Sequence, residues 1–168
     1  SGTKVLNFIE KSAIPMLTIN LLQALPQTPL YERLQKAGRL DDSEERESNV
    51  HFMLPYDQVL GMWRDCMEKA YQPAVLFDRY RHQLKATWPY RIKKPMSAQR
   101  TNKAMVKKGL TILARLLWHV GIKGEGGYRL TFWKFALPLL LKGKVEALLN
   151  YCLPAHHLIA FAREACAG

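Results

Sequence analysis

Apolar residues recur at three- and four-residue spacing through most of this chain, and prolines, glycines and capping residues mark the breaks between runs. Val5, Leu6, Phe8 and Ile9 predict the end of a helix reaching Lys11. Ile14 to Leu22 (IPMLTINLL) is different: a short run rich in strand formers, stopped near Pro26, which predicts one buried strand. A single buried strand cannot stand alone, because its backbone groups need partner strands. Thr28-Pro29 then supplies a helix cap and a first-turn proline, and Gly38 supplies the stop.

From Pro55 onward the pattern is helical. Val59, Leu60, Met62, Trp63, Cys66, Met67 and Ala70 share 3-4 spacing, and Pro73 restarts the helix toward Leu84. The prolines of Trp88-Pro89 and Lys94-Pro95 predict a linker. Ser97 is placed to cap a long helix carrying Met105, Leu110, Leu113, Leu117 and Val120, ended by Gly121 to Gly127. A further helix is expected over Tyr128 to Lys142, and another after Gly143 that Pro154 should kink or restart. The fold class is therefore mainly α: a multi-helix domain with a short remnant strand near its start. The predicted organisation is a barrel-end remnant over 1–40, an acidic loop over 41–54 and a helical domain over 55–168.

Composition keeps this within the range of a folded domain. The chain has 168 residues, 48% hydrophobic and 23% charged, enough to own a core without staples. Cys66, Cys152 and Cys166 are few and far apart, with no CxxC, which argues against a disulfide framework or a structural zinc knot. No signal-peptide core follows Ser1-Gly2-Thr3, and the most apolar stretch, Ala136 to Ala162, is broken by Lys142, Lys144 and Glu146. The expectation is a reduced, cytoplasmic protein.

Charge changes the picture more. The net charge of +11 is uneven: Ser1 to Leu84 holds 10 Lys and Arg against 11 Asp and Glu, net −1, and Lys85 to Gly168 holds 15 against 3, net +12. Such asymmetry suggests an anionic partner.

One stretch carries a resemblance. Asn20 to Leu40 (NLLQALPQTPLYERLQKAGRL) is similar to the end of the catalytic barrel in radical S-adenosylmethionine enzymes of the cobalamin-binding type, where a last strand leads into ALPGTPLY, a helix and GRL. Gln27 stands where that family often has Gly. Ser48-Asn49-Val50-His51-Phe52, Ala70-Tyr71-Gln72-Pro73, Phe77-Asp78-Arg79-Tyr80, Trp118-His119-Val120-Gly121 and Ala155-His156-His157 resemble the helical domain of unknown function that follows the barrel. The wider group includes hopanoid methylases. The resemblance implies a parent enzyme that uses an iron-sulfur cluster, S-adenosylmethionine and cobalamin. The cluster's CxxxCxxC is absent from this chain, as is the cobalamin-binding sequence. The expectation is an accessory domain with no catalytic residue and no cofactor of its own, whose partner is the rest of the parent chain.

Few candidate sites remain. Gln23 would lie at the mouth of the barrel implied by the resemblance, where barrels place active-site residues. Cys152 and His156, spaced i,i+4, are a minimal metal-ligand pair, but a packed or surface histidine is the preferred reading because further ligands are missing. Arg91, Lys93, Lys94, Arg100, Lys103, Lys107 and Lys108 contain no acid among them, and Arg100, Lys103 and Lys107 share a helix face. They are candidates for an anionic surface, membrane or nucleic acid, set against an ordinary solvated face. No sequence-specific nucleic-acid motif is present.

Overall fold

The computed structural model describes residues 2–41, 46–90 and 103–167. Seven α-helices are present among them: α1 (Gly2–Ser12), α2 (Pro29–Lys36), α3 (Tyr56–Ala70), α4 (Pro73–Ala86), α5 (Lys103–Leu116), α6 (Gly126–Leu141) and α7 (Val145–Ala167). A 3-10 turn follows α4 at Trp88–Tyr90, and α5 runs into a π-helical turn at Leu117–Ile122. The protein is mainly α, as its periodicity predicts.

The local signals act where the sequence puts them. Thr28 Oγ1 accepts the Tyr31 N–H at 3.2 Å and caps α2, with Pro29 in the first turn. Gly38 closes the helix with a left-handed φ of 64°. Pro73 opens α4. Pro154 does not restart its helix: α7 is continuous across it. Proline removes one backbone bond, and here Tyr151, Cys152 and Ala155 are buried on either side and hold the segment in place.

Two apolar clusters organise the packing. The larger joins α4, α6, α7 and the π turn through Phe77, Tyr80, Val120, Phe132, Phe135 and Leu148. Its rings interlock, with Phe77 5.0 Å from Phe135 and Tyr80 4.9 Å from Tyr151 between centroids. Gly121 permits the close crossing of the π turn and α6: Trp133 Nε1 donates to its carbonyl at 2.8 Å, and a Cβ there would meet the Trp133 ring at 2.9 Å. The smaller cluster holds Ile9, Trp63, Met67, Ala70, Tyr71 and Ala162, joining α1, α3 and α7.

Among the described residues, the segment predicted as a strand forms none: Ile14 to Leu22 is bend and irregular backbone that pairs with no strand. The isolated bridge between Leu40 and Val50 is the β pairing among the described residues. Ile14 to Ala24 instead crosses the helices as a strap, with Leu17, Ile19 and Leu21 packed on the smaller cluster. The acidic loop is tied at both ends, where Asp41 N–H donates to the Asn49 carbonyl and His51 N–H to that of Arg39.

Candidate functional site

The strap is held by side chains rather than by a sheet. Tyr71 OH donates to the Leu17 carbonyl at 2.6 Å and Trp63 Nε1 to that of Ile19 at 2.9 Å, both from the α3 end of the body. Ser48 Oγ donates to the Leu22 carbonyl at 2.6 Å, and Asn49 meets both backbone polar atoms of Ala24. Donors from indole, phenol, hydroxyl and amide side chains thus satisfy carbonyls that a ladder would otherwise serve. Ser48 and Ala24 are each 1% exposed. The ALP and Ser-Asn-Val runs that carry the resemblance therefore meet in space, and their first task is to fix this backbone.

The strap's exposed positions mix polar side chains (Thr18, Asn20 and Gln23) with three large apolar ones. Met16, Leu22 and Leu25 are 51%, 47% and 62% exposed. Gln23 is exposed beside an open groove of about 700 Å³ that Trp63 and Phe161 also line. Its side-chain amide donates to the Glu47 carbonyl at 3.3 Å. The structure thus places Gln23 at a surface groove, next to the strap's exposed edge.

Cys152 and His156 sit on one helix but in different surroundings. Cys152 is buried, and burial pushes its thiol far above the usual range. His156 is exposed and stacks on Tyr128 at 6.3 Å, the planes 13° apart. Its pKa is lowered, chiefly by desolvation and then by His157, His119 and Arg163. The described residues hold no group of three or more His, Cys, Asp or Glu side chains able to bind a metal. Nor do the three cysteines suit a cluster: Cys66 donates to the Gly2 carbonyl, Cys166 to that of Arg64, and Cys152 lies within the larger core.

Of the basic candidates, Arg91, Lys93, Lys94 and Arg100 lie outside the described residues. Lys103 begins α5, and Lys107 and Lys108 are exposed on it. The exposed face of α5 also carries Val106 and Leu110. Among the described residues no helix is long and apolar enough to cross a membrane.

One residue of interest gave little sign in the sequence. Arg79, read there only as part of the Phe77 to Tyr80 run, is 5% exposed. Its available signal was spacing: it stands three residues after Leu76, on the buried side of α4.

These features define a mainly helical domain with a strap before α2. Residues 28–168 match the family described as Domain of unknown function (DUF4070), and the chain belongs to that family. Over all of its length it is 51% identical to the Hopanoid C-2 methylase of Rhodopseudomonas palustris (strain TIE-1), of which it covers 31%. Over 96% of its length it is 27% identical to the Uncharacterized methyltransferase sll1242 of Synechocystis sp., of which it covers 30%. The chain thus spans about a third of the length of these relatives. No solved structure is significantly similar to it.

Proposed function

We propose that this chain serves as a non-catalytic accessory domain at the C-terminal end of a radical S-adenosylmethionine methylase, seated on the catalytic barrel through its strap. There it shields the barrel or helps to recognise the substrate. The observation that carries this reading is the strap: a backbone held by hydrogen bonds from Trp63, Tyr71, Ser48 and Asn49 that still leaves Met16, Leu22 and Leu25 exposed. Side chains of that size left in water favour cover by a neighbouring apolar surface. The likeness to one third of a methylase supports a larger parent. Radical chemistry, cobalamin and the iron-sulfur cluster belong, on this reading, to the part of the parent outside this chain.

The test is substitution at the seam. Met16→Asp with Leu25→Asp, made in the full-length enzyme, should lower methylation at least about tenfold, the factor equivalent to 1.4 kcal/mol. The same pair in this chain alone should leave thermal stability almost unchanged, because both side chains are already exposed. Full activity of the doubly substituted enzyme would refute the seam.

A second reading rests on charge. The net +12 of the second half, with exposed Lys107, Lys108, Arg115, Lys123 and Lys134, suits an anionic surface. Binding of this kind should fall steeply with salt and show little sequence preference.

A further inference from the structure

Among the described residues, Arg79 is a buried cation with no hydrogen-bond partner. Its Nε, Nη1 and Nη2 atoms are all shielded from solvent, and none has a hydrogen-bond partner. Asp78, the acid next to it in sequence, pairs with Arg81 at 2.6 Å, and Asp65 of α3 pairs with Lys69 at 2.6 Å. The Tyr71 hydroxyl is committed to Leu17. Burial lowers the Arg79 pKa, yet arginine stays charged in proteins. An unpaired buried charge is among the costliest arrangements a fold can hold, and such a group calls for an anion supplied from outside.

The space beside it is a cavity of about 540 Å³ between α1, α3 and α4. That volume is in the range of small-molecule sites. Leu6 and Ile9 of α1, Ala70 of α3 and Val75 of α4 give it an apolar wall. The other charged or titratable side chains lining it are Lys69, His82, Glu10 and Asp78, all exposed. Arg79 alone among these groups is buried. A guanidinium presents parallel N–H donors that match two oxygens of one carboxylate or phosphate.

We propose that this cavity is a binding site for an amphipathic small molecule, whose carboxylate or phosphate head pairs with Arg79 and whose apolar body lies between α1 and α4. The site belongs to the chain itself and does not depend on the parent's chemistry or on the seam at the strap. Entry of the head requires a small shift of the Arg79 side chain, since its nitrogens are covered in the empty cavity.

The probes are octanoate, octyl phosphate and octanol, titrated into the chain while methyl resonances of Leu6, Ile9 and Val75 are followed by NMR. Octanoate or octyl phosphate should saturate these shifts, binding about tenfold or more tightly than octanol, as a charge-assisted hydrogen bond demands. The tighter of the two anions identifies the head group. Arg79→Met, which keeps length and apolar packing, should bring all three probes to the affinity of octanol. Two results would overturn the site: no saturable shift with either anion, or octanol binding as tightly as the anions. Undiminished anion binding by a folded Arg79→Met chain would do the same. The comparison of octanol with the anions needs no variant, so it stands even if that substitution unfolds the chain.

Discussion

Asn49 holds Ala24 by both of its backbone polar atoms: Nδ2 donates to the Ala24 carbonyl at 2.8 Å, and the Ala24 N–H donates to Oδ1 at 2.8 Å. The pairing copies one rung of an antiparallel ladder with a side chain in place of a strand. Ala24 is fully buried, so these bonds have no substitute in solvent. Asn49→Ala should destabilise the chain by roughly 2–3 kcal/mol, the sum of two lost bonds and two unsatisfied buried groups partly relaxed. Urea unfolding measures this, and a loss below about 0.5 kcal/mol, the level of an ordinary surface change, would show that Asn49 is not the clamp.

Gln27 occupies the left-handed region, with φ of 64°. A side chain there costs roughly 1–2 kcal/mol relative to a right-handed backbone, and glycine avoids that cost. Gln27→Gly should therefore raise stability, by about 1 kcal/mol after its larger unfolded-state entropy is counted. A drop in the urea midpoint would mean that the Gln27 side chain makes compensating interactions. The resemblance had placed Gly at this position; the structure supplies the reason.

His156 gives the chain a pH response of known sign. Its folded-state pKa is lowered, first by the partial desolvation of its ring and then by nearby His157, His119 and Arg163. The unfolded chain therefore binds this proton more readily than the folded one. The contribution of His156 to stability is complete above the ordinary histidine pKa of about 6.5 and declines as pH falls below it toward the folded value. His156→Phe should flatten that part of the profile between pH 7 and 5. An unchanged slope in the variant would assign the effect to other groups.

Local chemistry made much of the fold legible. Thr28 and Pro29 start α2 from adjacent positions and Gly38 stops it just past its end, so the whole helix is bracketed by signals local to it. Helix α3 follows from the 3-4 spacing of its apolar residues. Ile14 to Leu22 does not, because an apolar run specifies burial and extension but not what satisfies the backbone. Its partners, Trp63 and Tyr71, lie 44 and 54 residues from the carbonyls they serve. Arg79 was hidden for a related reason: a cation on a helix usually reaches water, and this one lies on the buried side of α4. Gln23 was singled out through the resemblance, and the structure puts it at the groove beside the strap. Most of the basic stripe, Arg91 to Arg100, lies outside the described residues.

The most direct test of the accessory role is to assay the parent enzyme with and without this region. Both forms are reconstituted anaerobically, and deoxyadenosine and methylated product are measured in the same reaction. The account predicts that the shortened enzyme still cleaves S-adenosylmethionine to deoxyadenosine but forms at least about tenfold less methylated product, equivalent to 1.4 kcal/mol or more at the step where the domain acts. This chain alone should form neither. Deoxyadenosine produced by the isolated chain, or full methylation by an enzyme that lacks it, would contradict the account.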